Sequence, residues 1–405
     1  MPSPRLLTGL TLPLVWAACA SAPPRPPAHP AHPAHPPRAA ALRALDVAPD
    51  APELQRNPAL RARLRSGPHG YFRFLNREFA GLVCARFADL SLPRVTLHGD
   101  AHLEQYAVTD LGRGLTDFDD ASAGPAVVDL VRFGTSLRLA AEERGWKDRA
   151  DELWNRFWDG YQLALRDPAA EAPEPGLARR LQAGFESDRV ALLARAEALI
   201  DALAEPRPML DEATQRETVE TMARNSGVPV SFFKVKRAGA LRVGIGSAAD
   251  EKYLFRVEGE TEAPDDDVLL EFKEVRNLGA IPCIYNDPGP TRIIVGQARI
   301  AYEPFLYPGA VHAGGLSFWV HAWPLNYAEL RVEALLSPEE LAEVVYDAGV
   351  QLGLGHPKRW SAREAVRLRR ALATGLPVER VRAATAELAA ATRAAWERFR
   401  AASWP

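Results

Sequence analysis

Cysteine is scarce in this 405-residue chain, and so is net charge. Three cysteines, at positions 19, 84 and 283, are too few for a disulfide framework. Only Cys84 and Cys283 fall in the body of the chain. Each has apolar neighbours, which suits a buried thiol, and a single bridge between them in an oxidising compartment is also open. The formal net charge of −3 provides no global field to draw the protein onto nucleic acid or an anionic membrane, so no nucleic-acid partner is expected. Beyond the first twenty residues, no run approaches the roughly 18 consecutive apolar residues that span a bilayer. No internal repeat is found outside one short proline-rich segment.

What remains is ordinary for a globular chain: 47% hydrophobic and 25% charged residues, enough for one large domain or two smaller ones. The N-terminus stands apart. Arg5 precedes an apolar run from Leu6 to Trp16, and small residues follow around Cys19, the order of a secretory signal. Residues 1–22 are therefore expected to direct export. Trp16-Ala17-Ala18-Cys19 resembles a bacterial lipobox, with Trp16 where a smaller aliphatic residue is usual, and this makes Cys19 a lipidation site. Ala20-Ser21-Ala22 offers an ordinary signal-peptidase site, leaving a periplasmic or secreted form open. Residues 23–38 are rich in proline, with histidines at 29, 32 and 35, and suit an extended polyproline II spacer. The expected place is the cell envelope, with a lipid anchor as the only membrane attachment.

From residue 39 onward, one folded domain is expected to run to 405. Helical spacing dominates from about 52 to 90. Arg94-Val95-Thr96-Leu97 reads as a short buried strand, a second possible strand ends at Asp117, and a helix begins near Pro125 with Val127, Leu130, Val131, Gly134 and Leu137 on one face. Further helices follow to about 225. Between 231 and 330 the alternation in Lys252–Val257 and Val268–Lys273 predicts an antiparallel sheet. Ser337 with Glu340 three residues later forms a capping box, and the chain is helical from there almost to its end.

The chemistry gathers at His98-Gly99-Asp100-Ala101-His102-Leu103-Glu104-Gln105 and at Asp117-Phe118-Asp119-Asp120. An Asp on a loop after a short strand can take the proton of an acceptor hydroxyl. A side-chain carbonyl five residues later can reach a magnesium ion, and a second Asp after the next strand supplies the anionic ligand that hard cations prefer. His102 suits a hydrogen bond within the loop. Asp119 and Asp120 suit either a second metal or a solvated surface. Downstream, Arg242-Val243-Gly244-Ile245-Gly246-Ser247 fits a loop whose backbone N–H groups meet phosphates, with Lys273 on a following strand to pair with them. A hairpin with a glycine bulge and a surface lysine fits the same residues. Trp319, His321, Trp323 and Tyr327 suit either a pocket or an aromatic core.

His98-Gly99-Asp100 with Gln105, then Asp117-Phe118-Asp119-Asp120, then Gly124-Pro125 and Asp129-Leu130, resembles the core of aminoglycoside phosphotransferases and related kinase-like proteins. Within that superfamily the chain looks most like the domain-of-unknown-function family numbered 2252. That likeness also takes in Ser66-Gly67-Pro68 with Tyr71-Phe72-Arg73, Gly244–Ser247, Phe272-Lys273-Glu274, Gly296-Gln297 and His356, so it covers roughly residues 66–360. The resemblance implies ATP and magnesium as cofactors and assigns roles by position. Asp100 is the catalytic base and His98 the structural histidine at the start of the catalytic loop. Asp117 and Gln105 are metal ligands, Gly244, Gly246, Ser247 and Lys273 bind the nucleotide, and Asp129 is a buried carboxylate holding the loop. Gln105 stands where the superfamily usually has Asn, which keeps the carbonyl but adds a methylene.

The implied fold is α+β and two-lobed, with a helical lobe (about 50–225 and 335–400) and an antiparallel β lobe (231–330). The glycine loop and lysine follow the catalytic loop instead of preceding it, so the kinase-like order is circularly permuted. The implied activity is transfer of a phosphoryl group to a hydroxyl of an acceptor that the sequence does not name. Two other readings use the same residues: a pseudokinase-like binding or scaffold module at the envelope, where ATP is scarce, and transfer of the nucleotide part in place of the phosphate.

Overall fold

The computed structural model describes residues 42–202, 212–226, 234–241 and 251–402. The export signal with Cys19, the proline-rich spacer, and Gly244, Gly246 and Ser247 all lie outside the described residues. The described part lies within the unit Pro37–Pro405.

The first stretch is broken into four helices: α1 (Pro52–Arg56), α2 (Pro58–Ser66), α3 (Pro68–Phe74) and α4 (Asn76–Arg86). Pro52, Pro58 and Pro68 each open a helix, where a missing N–H costs nothing, and the last two preclude continuation of the helix before them. Strands β1 (Arg94–Leu97), β2 (Tyr106–Thr109), β3 (Arg113–Leu115) and β4 (Ser122–Pro125) follow, then α5 (Val127–Glu143), α6 (Ala150–Arg166), α7 (Gly176–Gln182), α8 (Arg189–Ala202) and α9 (Glu212–Ser226). Next come β5 (Val235–Ala240), β6 (Lys252–Val257), β7 (Val268–Glu274), α10 (Thr291–Ile300), β8 (Gly309–Ala313), β9 (Leu316–Ala322) and β10 (Tyr327–Glu329). Helices α11 (Pro338–Gly355), α12 (Ala362–Gly375) and α13 (Val378–Ala401) close the chain.

The architecture is α+β with antiparallel pairing throughout the described sheets. One sheet runs β5-β6-β7-β9-β8, a second β10-β2-β3, and a third pairs β1 with β4. Two expectations need correction. The segment 231–330 is not β throughout, because Thr291–Ile300 forms α10. Its Ile-Ile-Val run has strand propensity, but Ile293, Gly296, Gln297 and Ile300 are buried at helical spacing, and tertiary burial decides. In addition, β10 leaves the five-stranded sheet and pairs with β2 among the helical elements, Ala328 opposite Val108.

The five-stranded sheet is two-faced in a way that places the site. Tyr253, Phe255, Leu270, Phe272, Phe318 and Val320 pack with Val219 and Met222 of α9 on one face. Period-two alternation then sends Lys252, Glu271, Lys273, Trp319 and His321 to the other face, where they line a cavity.

Among the helices, α6 and α11 approach so closely that a Cβ on Gly160 would lie 2.3 Å from the Tyr346 carbonyl oxygen, and one on Gly349 would lie 2.1 Å from that of Phe157. Glycine is required at such a crossing. Ser337 caps α11 as expected, its Oγ accepting the Glu340 N–H at 3.2 Å. Cys84 at the end of α4 and Cys283 after β7 form a disulfide across 199 residues, with Cα atoms 5.3 Å apart.

Candidate active site

The loop after β1 carries His98, Gly99 and Asp100 and is held from below by one stripe of α5. Asp129, fully buried, accepts the backbone N–H groups of His98 (2.7 Å) and Gly99 (3.0 Å). Three residues on, Arg132 donates from Nε to Asp100 Oδ1 at 2.5 Å. A turn further, Ser136 Oγ accepts the Leu103 N–H at 3.1 Å. These spacings put all three on one helix face. Asp129 is itself fixed by His356 Nε2 at 3.1 Å, and His356 Nδ1 lies 3.0 Å from the Tyr161 hydroxyl. Gly99 has φ +84°, and a Cβ there would fall 1.8 Å from the Asp120 carbonyl oxygen, so this turn admits glycine alone.

Asp100, Gln105, Asp117 and Lys273 line one cavity of about 360 Å³. Lys273 crosses 156 residues of sequence to meet Asp117 Oδ1 at 2.9 Å, and it also pairs with Asp119 Oδ2 at 2.6 Å. Gln105 Nε2 approaches Asp100 Oδ2 and Asp117 Oδ2 at 3.5 Å each, long contacts that place its amide between the two carboxylates. Asp117 itself has φ +58°, a left-handed backbone that few non-glycine residues adopt and that costs about 1 kcal/mol or more.

The remaining assigned residues stand back from the cavity. His98 is buried, its Nε2 on the Thr116 carbonyl at 2.8 Å and its ring 4.8 Å from that of Phe118, so it ties the two loops together without facing the cavity. Asp129 lies beneath the loop. Of the four aromatic candidates, Trp319, His321, Trp323 and Tyr327 all line the cavity. Phe305, His321 and Trp319 form a stacked ladder with centroids 4.4 Å apart, and His321 pairs with Glu271 at 3.0 Å.

Charge states follow from these neighbours. Burial pushes Asp100 up to about 6, although the Arg132 guanidinium opposes it. Burial would raise Asp117 as well, but Lys273 and then Lys252 outweigh it and hold the carboxyl well below the usual range. Asp119 is raised, burial and Asp117 prevailing over Lys273. Lys273 is held well above its ordinary value: burial disfavours its charge, and Asp117 and Asp119 restore it. His102, desolvated and ringed by Arg73 and Arg132, is kept neutral, its Nε2 3.7 Å from Asp100.

Sequence reasoning missed Arg132, which is fully buried with its guanidinium 4.4 Å from the Phe72 ring. The signal was present: an arginine inside the apolar run Leu130-Val131-Arg132-Phe133 of α5, one turn after Asp129. Sequence reasoning named Arg73 within the family likeness but gave it no role, and Arg73 pairs with Glu104 at 2.7 Å; it missed Asn76, whose Nδ2 donates to Asp120 at 3.0 Å. Lys252, Glu271 and Arg276 were missed too. Only strand register and a turn of chain bring these to the cavity wall, and spacing does not reveal either.

Comparison with curated proteins yields no match, and comparison with solved structures yields none either. Residues 55–227, the segment that contains Asp100, Gln105, Asp117 and Asp129 and ends before the five-stranded sheet, match the model of a family described as an uncharacterized protein conserved in bacteria (DUF2252).

Proposed function

We propose that this chain is an exported, magnesium- and ATP-dependent phosphotransferase with a circularly permuted kinase-like arrangement of lobes. The observation that carries the reading is the meeting of Lys273, from the five-stranded sheet, with Asp117 and Asp119, at a cavity that also exposes Asp100 and Gln105.

The donor set fits a hard cation held in part by a ligand's phosphates. Asp117 and Asp119 already share one positive charge, the Lys273 ammonium, and Gln105 lies beside them with its amide nitrogen toward Asp117, so a half-turn of the amide would offer its oxygen to a cation. Magnesium characteristically takes one or two carboxylates and completes its shell with waters and phosphate oxygens, and this small donor set suits that habit. When bound, magnesium would neutralise phosphate charge. Asp117, Asp119 and Gln105 would hold it.

The protein's own groups do the rest. Arg132 fixes Oδ1 of Asp100, which leaves Oδ2, 3.5 Å from the Gln105 amide nitrogen, to take the acceptor hydroxyl's proton as the acceptor oxygen bonds to phosphorus. The bond from that phosphorus to the departing diphosphate breaks in the same transfer. A base raised to about 6 is well matched to neutral pH. Asp129 and His356 keep the loop in place. The Cys84–Cys283 disulfide supports an oxidising compartment, hence export.

Asp100's ion pair with the buried Arg132 also favours the pseudokinase-like alternative, since one carboxylate oxygen is taken. Product analysis separates the readings. Purified protein incubated with magnesium and ATP is expected to release ADP slowly, and the release should be lost in Asp100→Asn. AMP with pyrophosphate would indicate nucleotide transfer instead. Tight nucleotide binding with no product from any acceptor tried would favour the binding module.

A further inference from the structure

Two lysines face each other inside the cavity. Lys252 on β6 and Lys273 on β7 are directly opposite in the antiparallel register, and both are buried. Trp319 of β9 continues the same row, its ring 5.7 Å from the Lys273 ammonium. In the next row of that face Glu271 pairs with His321. Asp117 and Asp119 are the ion-pair partners of Lys273. Arg276, just beyond β7, brings a third cation to the lining. Like charges directly across a strand pair oppose folding, and burial of both makes the opposition stronger. Burial and the neighbouring Lys273 pull the Lys252 ammonium below its ordinary pKa, against the opposing carboxylates of Glu271, Asp119 and Asp117. Three cations brought to the wall of one cavity point to an anionic ligand.

We infer that Lys252 is a second phosphate-holding cation, and that the polyphosphate chain of the nucleotide is gripped from two adjacent strands by Lys252 and Lys273. This rests on the phosphotransferase reading for the nucleotide and on the sheet geometry for the anion. Neither lysine discriminates the base, so the subsite is for linear polyphosphate as such.

The test is calorimetric titration of the full-length chain with inorganic tripolyphosphate and, separately, with magnesium and ATP, beside thermal unfolding without ligand. Lys252→Met is expected to weaken both titrations by about tenfold or more, the worth of one charge-assisted hydrogen bond. Its ligand-free melting midpoint should stay near that of the wild type, because the repulsion from Lys273 is lost together with the attraction of Glu271, Asp119 and Asp117. Lys252→Arg should bind within a few-fold of wild type. Lys252→Gln replaces the methionine variant if the latter does not fold. Unchanged affinity together with a lowered midpoint would make Lys252 a structural residue and overturn the inference, while leaving the nucleotide reading intact. Lys252-dependent binding of tripolyphosphate without binding of ATP would support the anion subsite and remove the nucleotide. A wild type that binds neither probe overturns it.

Discussion

Asp100, partly buried within the loop, and His69, buried 3.7 Å from Glu104 of that loop, have charge states that run in opposite senses. Asp100 is raised to about 6 by burial against the opposition of Arg132, so a general-base role requires the proton to be off. Turnover of the proposed reaction should therefore fall as pH drops through about 6, which a pH–rate profile checks; a rate flat to pH 5 would remove Asp100 as the base. His69 is lowered to about 4 by burial, with Glu104 opposing. A depressed histidine binds protons in the unfolded chain first, so its contribution to stability is complete above the ordinary value of 6.5 and is lost as pH falls through 4. Urea unfolding at pH 7 and pH 4.5 should show wild type losing of the order of 2–3 kcal/mol more than His69→Phe. At this scale the sequence made Asp100, Gln105 and Asp117 readable, because they lie within 18 residues and their loops are set by neighbouring strands. Arg132 and Lys252 were not readable in the same way: their partners come from a helix face and a strand register.

Glycine decides one helix crossing and the turn at Gly99. Where α6 meets α11, Gly349 leaves 2.1 Å between a would-be Cβ and the Phe157 carbonyl oxygen, a backbone atom that cannot step aside cheaply. Gly349→Ala is expected to cost about 1–3 kcal/mol or more in chemical unfolding, since a backbone contact forces the helices apart. A variant as stable as wild type would mean that the crossing is slack. The same helix ends at His356, which fixes Asp129, so displacement of α11 should also loosen the loop that carries Asp100. Helices and strands were largely readable from their periods: α5 begins where Pro125 and the apolar face predict, and β6 and β7 alternate as expected. Helix α10 was hidden by its β-branched run, and β10 by its brevity, three residues that pair with β2 across more than 200 residues of sequence.

Over the whole molecule, the disulfide and the chain order bear on one question: how a sheet formed by residues 235–322 comes to face loops formed by residues 98–120. Cys84–Cys283 joins the helix before the first loop to the segment that leaves β7, so it fastens the two sets of elements where they meet. Closing 199 residues should contribute about 2–5 kcal/mol. Cys84→Ser is expected to lose that stability in urea under oxidising conditions and to match wild type once both are reduced. Equal stability of both proteins without reductant would contradict a bridge in solution. The order of motifs in the sequence suggested that the lysine strand folds back over the aspartates, and the contact between Lys273 and Asp117 has that geometry. What binds there is a separate matter, and it turns on Asp117. The most direct test is thermal unfolding of wild type and Asp117→Ala with and without magnesium and ATP. A ligand at a hundredfold excess over its Kd adds about 2.7 kcal/mol to the native state. The expected result is a magnesium-dependent rise in the wild-type midpoint that Asp117→Ala lacks. A folded wild type whose midpoint is unmoved by magnesium and ATP would contradict it.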